Sequence, residues 1–167
     1  IIPSWDGEGE TLIDYIITMN EIAEKSEQLS QGLAVWAPSK WSAKAKDWWE
    51  ALSPASRQFL RQDWNKLLLG IRDFFMNTEW KAHRKMEFED MTFRQKGHSL
   101  ESPVQYIQRR KRYAIILYNA SENEGSTLIT IILYNIPSSW KATLNPRTCP
   151  TVDQLVDRAM EQEEALI

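Results

Sequence analysis

The chain has 167 residues, enough for one large or two small domains with a sizeable core; 43% are apolar and 26% charged. A formal net charge of -3 and a pI near 5.5 argue against strong, sequence-independent nucleic-acid binding, which needs a basic surface. The single cysteine, Cys149, excludes an internal disulfide and a cysteine-based zinc site and points to a reducing compartment, and no apolar run reaches the ~18 residues that a membrane span requires.

The start Ile1-Ile2-Pro3, without methionine or a signal peptide, reads as a piece of a longer product. Glycine is scarce, alternating strand patterns are nearly absent and apolar residues recur at helical spacing, so the expected fold class is all-α. Eight tryptophans, most on expected helices, are core-packing residues by default.

In chain order, residues 1–9 form an extended leader ending in Trp5-Asp6-Gly7-Glu8-Gly9, a turn composition. A helix from Thr11 to Lys25 follows, with Leu12, Tyr15, Ile16, Met19, Ile22 and Ala23 on one stripe. A second runs from Glu27 to Trp36 and stops at Pro38; Ser39 then caps a third that reaches Leu52. Ser53-Pro54 opens a short helix through Leu60, and Asp63 opens another bearing Trp64, Leu67, Leu68, Ile71, Phe74 and Phe75. The apolar stripe ends at Met76-Asn77-Thr78, which sets the expected lobe boundary: residues 1–77 and 78–167. A helix with Trp80, His83, Arg84 and Glu87 begins the second part.

The stretch from Phe93 to Tyr118 joins a turn at Lys96-Gly97 to a long amphipathic helix opened by Ser99-Leu100-Glu101-Ser102-Pro103, with Val104, Ile107, Ala114 and Leu117 at spacings of three, seven and three. Arg109 lies two turns after Glu101, so its guanidinium can return to the N-terminal turn and share a network with Glu101 and Gln95. The alternative is an ordinary capped helix with solvated charges. Arg109 to Arg112 reads as a solvated face with one buried arginine, in preference to an RNA-binding patch. Residues Ser121 to Gly125 form a polar turn. The helix from Ser126 to Tyr134 is apolar nearly all round, so it is buried on every side or partly by another chain. A short helix from Ser139 to Leu144 follows, and Thr151 with Gln154 makes a capping box for the last helix, where Val152, Leu155, Val156, Ala159 and Met160 form the stripe.

The order Gln95, Gly97, Glu101, Tyr106, Arg109 resembles the major homology region of retroviral and LTR-retrotransposon capsid proteins, with a longer loop before the Glu. Independently, Trp5-Asp6-Gly7, the run Trp41 to Leu52 with its paired Trp48-Trp49, and Trp64 to Phe75 resemble the N-terminal part of gypsy-type retrotransposon Gag domains; Ile136-Pro137 to Trp140 and Thr151 to Glu161 resemble their end. The resemblance implies a two-lobed capsid-like fold and a structural protein that self-assembles into cytoplasmic virus-like particles around element RNA. It implies homo-oligomer rings through the first lobe and dimers through the second, with RNA held by segments outside this chain. Carried over by position, Thr127, Thr130, Ile131 and Tyr134 become the candidate dimer face, although intramolecular burial of that helix is an equal reading. A domesticated Gag-derived adaptor that oligomerises or binds peptides is the other reading of the same lobes, and an RNA-binding helical module using Arg109 to Arg112 is a third.

No enzyme signature stands out. His83 and His98, the two histidines, sit in no metal-binding or nucleophile-activating pattern, and phosphate-binding glycine loops are absent. No catalytic residue, metal, cofactor, membrane contact or small-molecule substrate is therefore expected.

Overall fold

The computed structural model describes residues 1–119 and 125–167. The described chain is all-helical, with one isolated parallel bridge between Trp5 and Trp41. It divides into two compact units, Ile1–Ala82 and His83–Ile167.

In the first unit, α1 (Leu12–Ala23), α2 (Glu27–Trp36), α3 (Ala43–Ala51), α4 (Pro54–Leu60) and α5 (Trp64–Phe75) follow one another with short connections. Ser26, Ser53 and Asp63 accept the amides of Leu29, Ser56 and Lys66 and so start α2, α4 and α5. The expected third helix differs at its start. Ala37–Lys40 is a 3-10 turn, Trp41 is extended, and α3 begins only at Ala43, because the Lys40 carbonyl and the Ser42 amide on either side of Trp41 are engaged by Trp5 of the leader.

Aromatic rings fill this core. Trp5 stacks on Tyr15 at 5.2 Å and meets Phe75 edge-on at 4.8 Å, while Trp41, Trp48 and Trp49 form a contiguous edge-packed group. Three buried indoles donate to side chains, Trp5 to the Thr11 hydroxyl at 3.1 Å, Trp41 to the Tyr15 hydroxyl at 2.9 Å and Trp64 to Asn20 at 2.7 Å. Seven tryptophans are buried; Trp36, 61% exposed, is the exception to the core expectation.

Burial pushes the Tyr15 phenol up to about 12, partly opposed by the Trp41 hydrogen bond. An unfolded phenol ionises near pH 10, about two units lower. Between these values the unfolded chain releases its proton first, so stability is fully present below about pH 10 and falls as pH rises through the window, by about 2–3 kcal/mol at most. In denaturant titrations the stability gap between wild type and Tyr15→Phe should narrow from neutral pH to strongly alkaline pH. A constant gap would contradict this coupling.

The division between the units falls between Ala82 and His83, inside α6 (Thr78–Asp90) and past the expected boundary between residues 77 and 78, where that helix starts. The second unit holds α7 (Pro103–Leu117), α8 (Gly125–Ile132), α9 (Val152–Glu161) and α10 (Glu163–Leu166). The expected capping box of Thr151 with Gln154 starts α9, and the structure adds a second, Ser102 with Gln105, on α7. Helix α8 starts one residue early, at Gly125, and ends at Ile132; the rest of the expected turn, residues 121–124, lies outside the described residues. The helix expected over residues 139–144 is only a 3-10 turn, Ser138–Trp140, followed by turns. Trp140 is held inward there, its indole donating to the Leu166 carbonyl at 2.8 Å and its ring against Phe93 at 4.8 Å. On α9, Val152, Leu155 and Ala159 are buried, but Met160 faces solvent instead of joining the stripe.

Candidate functional site

The segment before α7 is a series of tight turns, and its geometry follows from residue type. Gly97 sits at φ +88°, in left-handed space that side chains disfavour. Arg94 also takes a left-handed conformation, φ +59°, and this aims its amide at Glu101 Oε1, 2.8 Å away. Such a backbone needs compensation, and the Glu101 carboxylate supplies it.

Glu101 and Arg109 are both buried and meet in a two-pronged pair. Arg109 Nη2 donates to Oε1 at 2.9 Å and Nε to Oε2 at 3.2 Å, while Nη2 also reaches the Thr92 carbonyl. The Arg94 Nε donates to the Glu101 carbonyl, so the loop is tied at both ends of one residue. Tyr106, fully buried, donates its hydroxyl to the Met91 carbonyl at 3.0 Å and lies under the Arg109 guanidinium. Burial raises its phenol pKa, opposed by the charges of Arg110 and Arg109.

Gln95 is a correction. Its side chain accepts the Thr92 amide at 2.8 Å and closes its own turn, without bonding Glu101 or Arg109. The Thr92 carbonyl and Arg94 take the places expected of it.

The basic run is a second correction. Two of its arginines, Arg109 and Arg110, are buried, where one was expected; Arg112 is exposed and Lys111 half-buried. Arg110 has no solvent exposure, and its three nitrogens donate to carbonyls of Ile132 at 2.7 Å, Phe88 at 3.0 Å and Ile131 at 3.2 Å. Those acceptors lie at the C-terminal ends of α8 and α6, where the helix dipole is negative and carbonyls lack intrahelical donors. The guanidinium also lies 4.1 Å over the Phe88 ring. Burial lowers its pKa, yet a guanidinium stays charged at neutral pH. The run retains little cationic surface for RNA.

On α8, Leu128, Ile129 and Ile132 are buried, whereas Thr127 and Thr130 are exposed and Ile131 is half-buried; Tyr134, just past the helix, is 56% exposed. The four candidate residues therefore share an outward side, mixed polar and apolar, and the apolar residues do not all enter the intramolecular core.

In the leader, Trp5 is buried and the Asp6 carboxylate caps the Glu8 amide at 3.0 Å. Gly7 lies at φ +85°, and a Cβ there would stand 2.4 Å from the Ala45 nitrogen, so no side chain fits. His83 and His98 are exposed; His98 Nδ1 is 4.0 Å from Glu101. Among the described residues no group of three or more His, Cys, Asp or Glu side chains could hold a metal ion, and no helix is long and apolar enough to cross a membrane.

Comparison with family models, with curated proteins and with solved structures finds no match.

Proposed function

We propose that this chain is the structural capsid protein of a gypsy-type LTR retrotransposon, a Gag-type shell builder that encloses element RNA in cytoplasmic particles. The observation that carries the reading is the buried Glu101–Arg109 pair, which closes the start of α7 onto the Gly97 turn in the second of two helical units. This is an internal brace, and a brace is what a lattice subunit needs: many weak repeated contacts add up only if each subunit presents its surfaces rigidly. The outward side of α8, with Thr127, Thr130, Ile131 and Tyr134, is the dimer contact in this reading, and the first unit makes the rings.

Electron microscopy of the purified chain over a range of salt tests it. Wild type should form closed particles. Thr130→Arg with Tyr134→Glu should abolish them with melting unchanged, whereas Arg109→Ala should abolish them by destabilising the second unit by about 3–5 kcal/mol, since Glu101 is then left buried and unpaired. Absence of particles at every salt would end the shell reading. Normal particles from the Thr130/Tyr134 double variant would end the α8 contact.

A further inference from the structure

The outer face of α5 carries an arrangement that the shell reading does not use. Phe59, Leu69 and Phe74 are each 50–56% exposed and line one apolar groove of about 730 Å³ between α4 and α5. Its floor is Gly70 with Leu60 and Trp48. A Cβ at Gly70 would stand 2.9 Å from Leu60, so the missing side chain is what lets Leu60 settle low and keeps the groove open. Three half-exposed large apolar side chains around one cavity form a patch of the kind that marks a contact surface.

The charges on this face are ordered. Lys66 lies at one end, with its ammonium over the Phe59 ring at 5.5 Å, and Asp73 lies at the other end beside Phe74. Residues 66, 69, 70 and 73 follow the three-four spacing of one helix face, two turns from end to end. Two such faces brought together antiparallel about a twofold axis between Leu69 and Gly70 put Lys66 of each copy opposite Asp73 of the other. The same axis sets each Leu69 over the partner's Gly70 and its groove.

We propose that this face of α5 is a twofold interface that binds a second copy of the chain, with Leu69 as the apolar anchor and two Lys66–Asp73 pairs fixing the antiparallel register. The contact is isologous, so one patch serves both partners. It is independent of the α8 face and of whether shells form.

Sedimentation equilibrium of the full chain at low salt tests it through charge exchange. Wild type should self-associate, and in the Thr130→Arg/Tyr134→Glu background, which removes the α8 contact, adding Leu69→Glu should leave a monomer with tryptophan fluorescence unchanged. Lys66→Glu alone and Asp73→Lys alone should each weaken association about tenfold, because two like-charge contacts form per dimer. An equimolar mixture of these two single variants should restore it, since only the mixed dimer pairs every charge. The Thr130/Tyr134 double variant should retain this association even where particles are lost. A wild type that stays monomeric, single variants that associate like wild type, or a mixture no stronger than its components would each overturn the proposal, the last two in favour of another contact or another occupant of the groove.

Discussion

Arg110→Ala should destabilise the second unit by about 3–5 kcal/mol, the cost expected when a buried charged donor is removed and its acceptors stay behind. Three carbonyls, of Phe88, Ile131 and Ile132, lose the guanidinium at once; Phe88 and Ile131 keep the amides of Met91 and Tyr134, and Ile132 is left without a donor in a site with no solvent exposure at Arg110 to replace it. The deletion also leaves a cavity against Phe88 and removes a cation from the negative ends of two helices. Hydrogen exchange read by mass spectrometry checks this. Peptides covering α8 and the end of α6 should exchange faster, while those of α1 to α5 should not change. Arg110→Lys should recover only part of the loss, because one ammonium cannot span three carbonyls in separate directions. An alanine variant with wild-type protection in α8 would mean that the carbonyls find other donors.

Trp5→Ala is the largest single loss expected in the first unit, about 3–5 kcal/mol for a buried tryptophan. The indole is stacked on Tyr15, edge-on to Phe75 and Trp41, and its Nε1 donates to Thr11 at 3.1 Å. Its backbone is also one side of the bridge to Trp41, so the truncation loosens the turn that starts α3. Urea unfolding followed by tryptophan emission should show a lower midpoint, and the near-ultraviolet circular dichroism of the aromatic group should weaken before unfolding begins. An unchanged midpoint would show that the leader contributes little to the core.

Much of this architecture was legible in the residues because the signals were local. Ser102-Pro103, Thr151 with Gln154, and Asp63 before Trp64 each state a helix start within four residues, and the structure has all three. The pairing of Glu101 with Arg109 was also within reach, since Glu101 directly precedes the cap of α7 and Arg109 lies in its second turn. The misses involve distant partners. Ser39 offers a plausible cap, but Trp41 is drawn into an extended pairing with a residue 36 positions earlier, and no window around Ser39 contains that information. Gln95 looked available to Glu101 in one dimension, yet the turn it closes keeps it local. Arg110 did leave a trace. The gap of seven between Ile107 and Ala114 is the place where the buried stripe of α7 needs another member, and Arg110, three after one and four before the other, occupies it. A charged residue in a core stripe signals a buried guanidinium with carbonyl partners, but the identity of those partners depends on where α6 and α8 end.

The leader has a consequence for how such a chain can vary. From Trp5 to Thr11 almost every position is tethered: the indole of Trp5 reaches Thr11, Asp6 holds Glu8, Gly7 lies against the backbone at Ala45, Glu8 pairs with Lys44 at 3.3 Å, and the Gly9 carbonyl accepts from Trp80 at 2.8 Å. A strap pinned at such close intervals has no slack, so adding or deleting one residue would shift every later anchor out of register. Drift here should proceed by exchange of one residue type for another at constant length, with indels confined to segments before Trp5 or beyond Thr11.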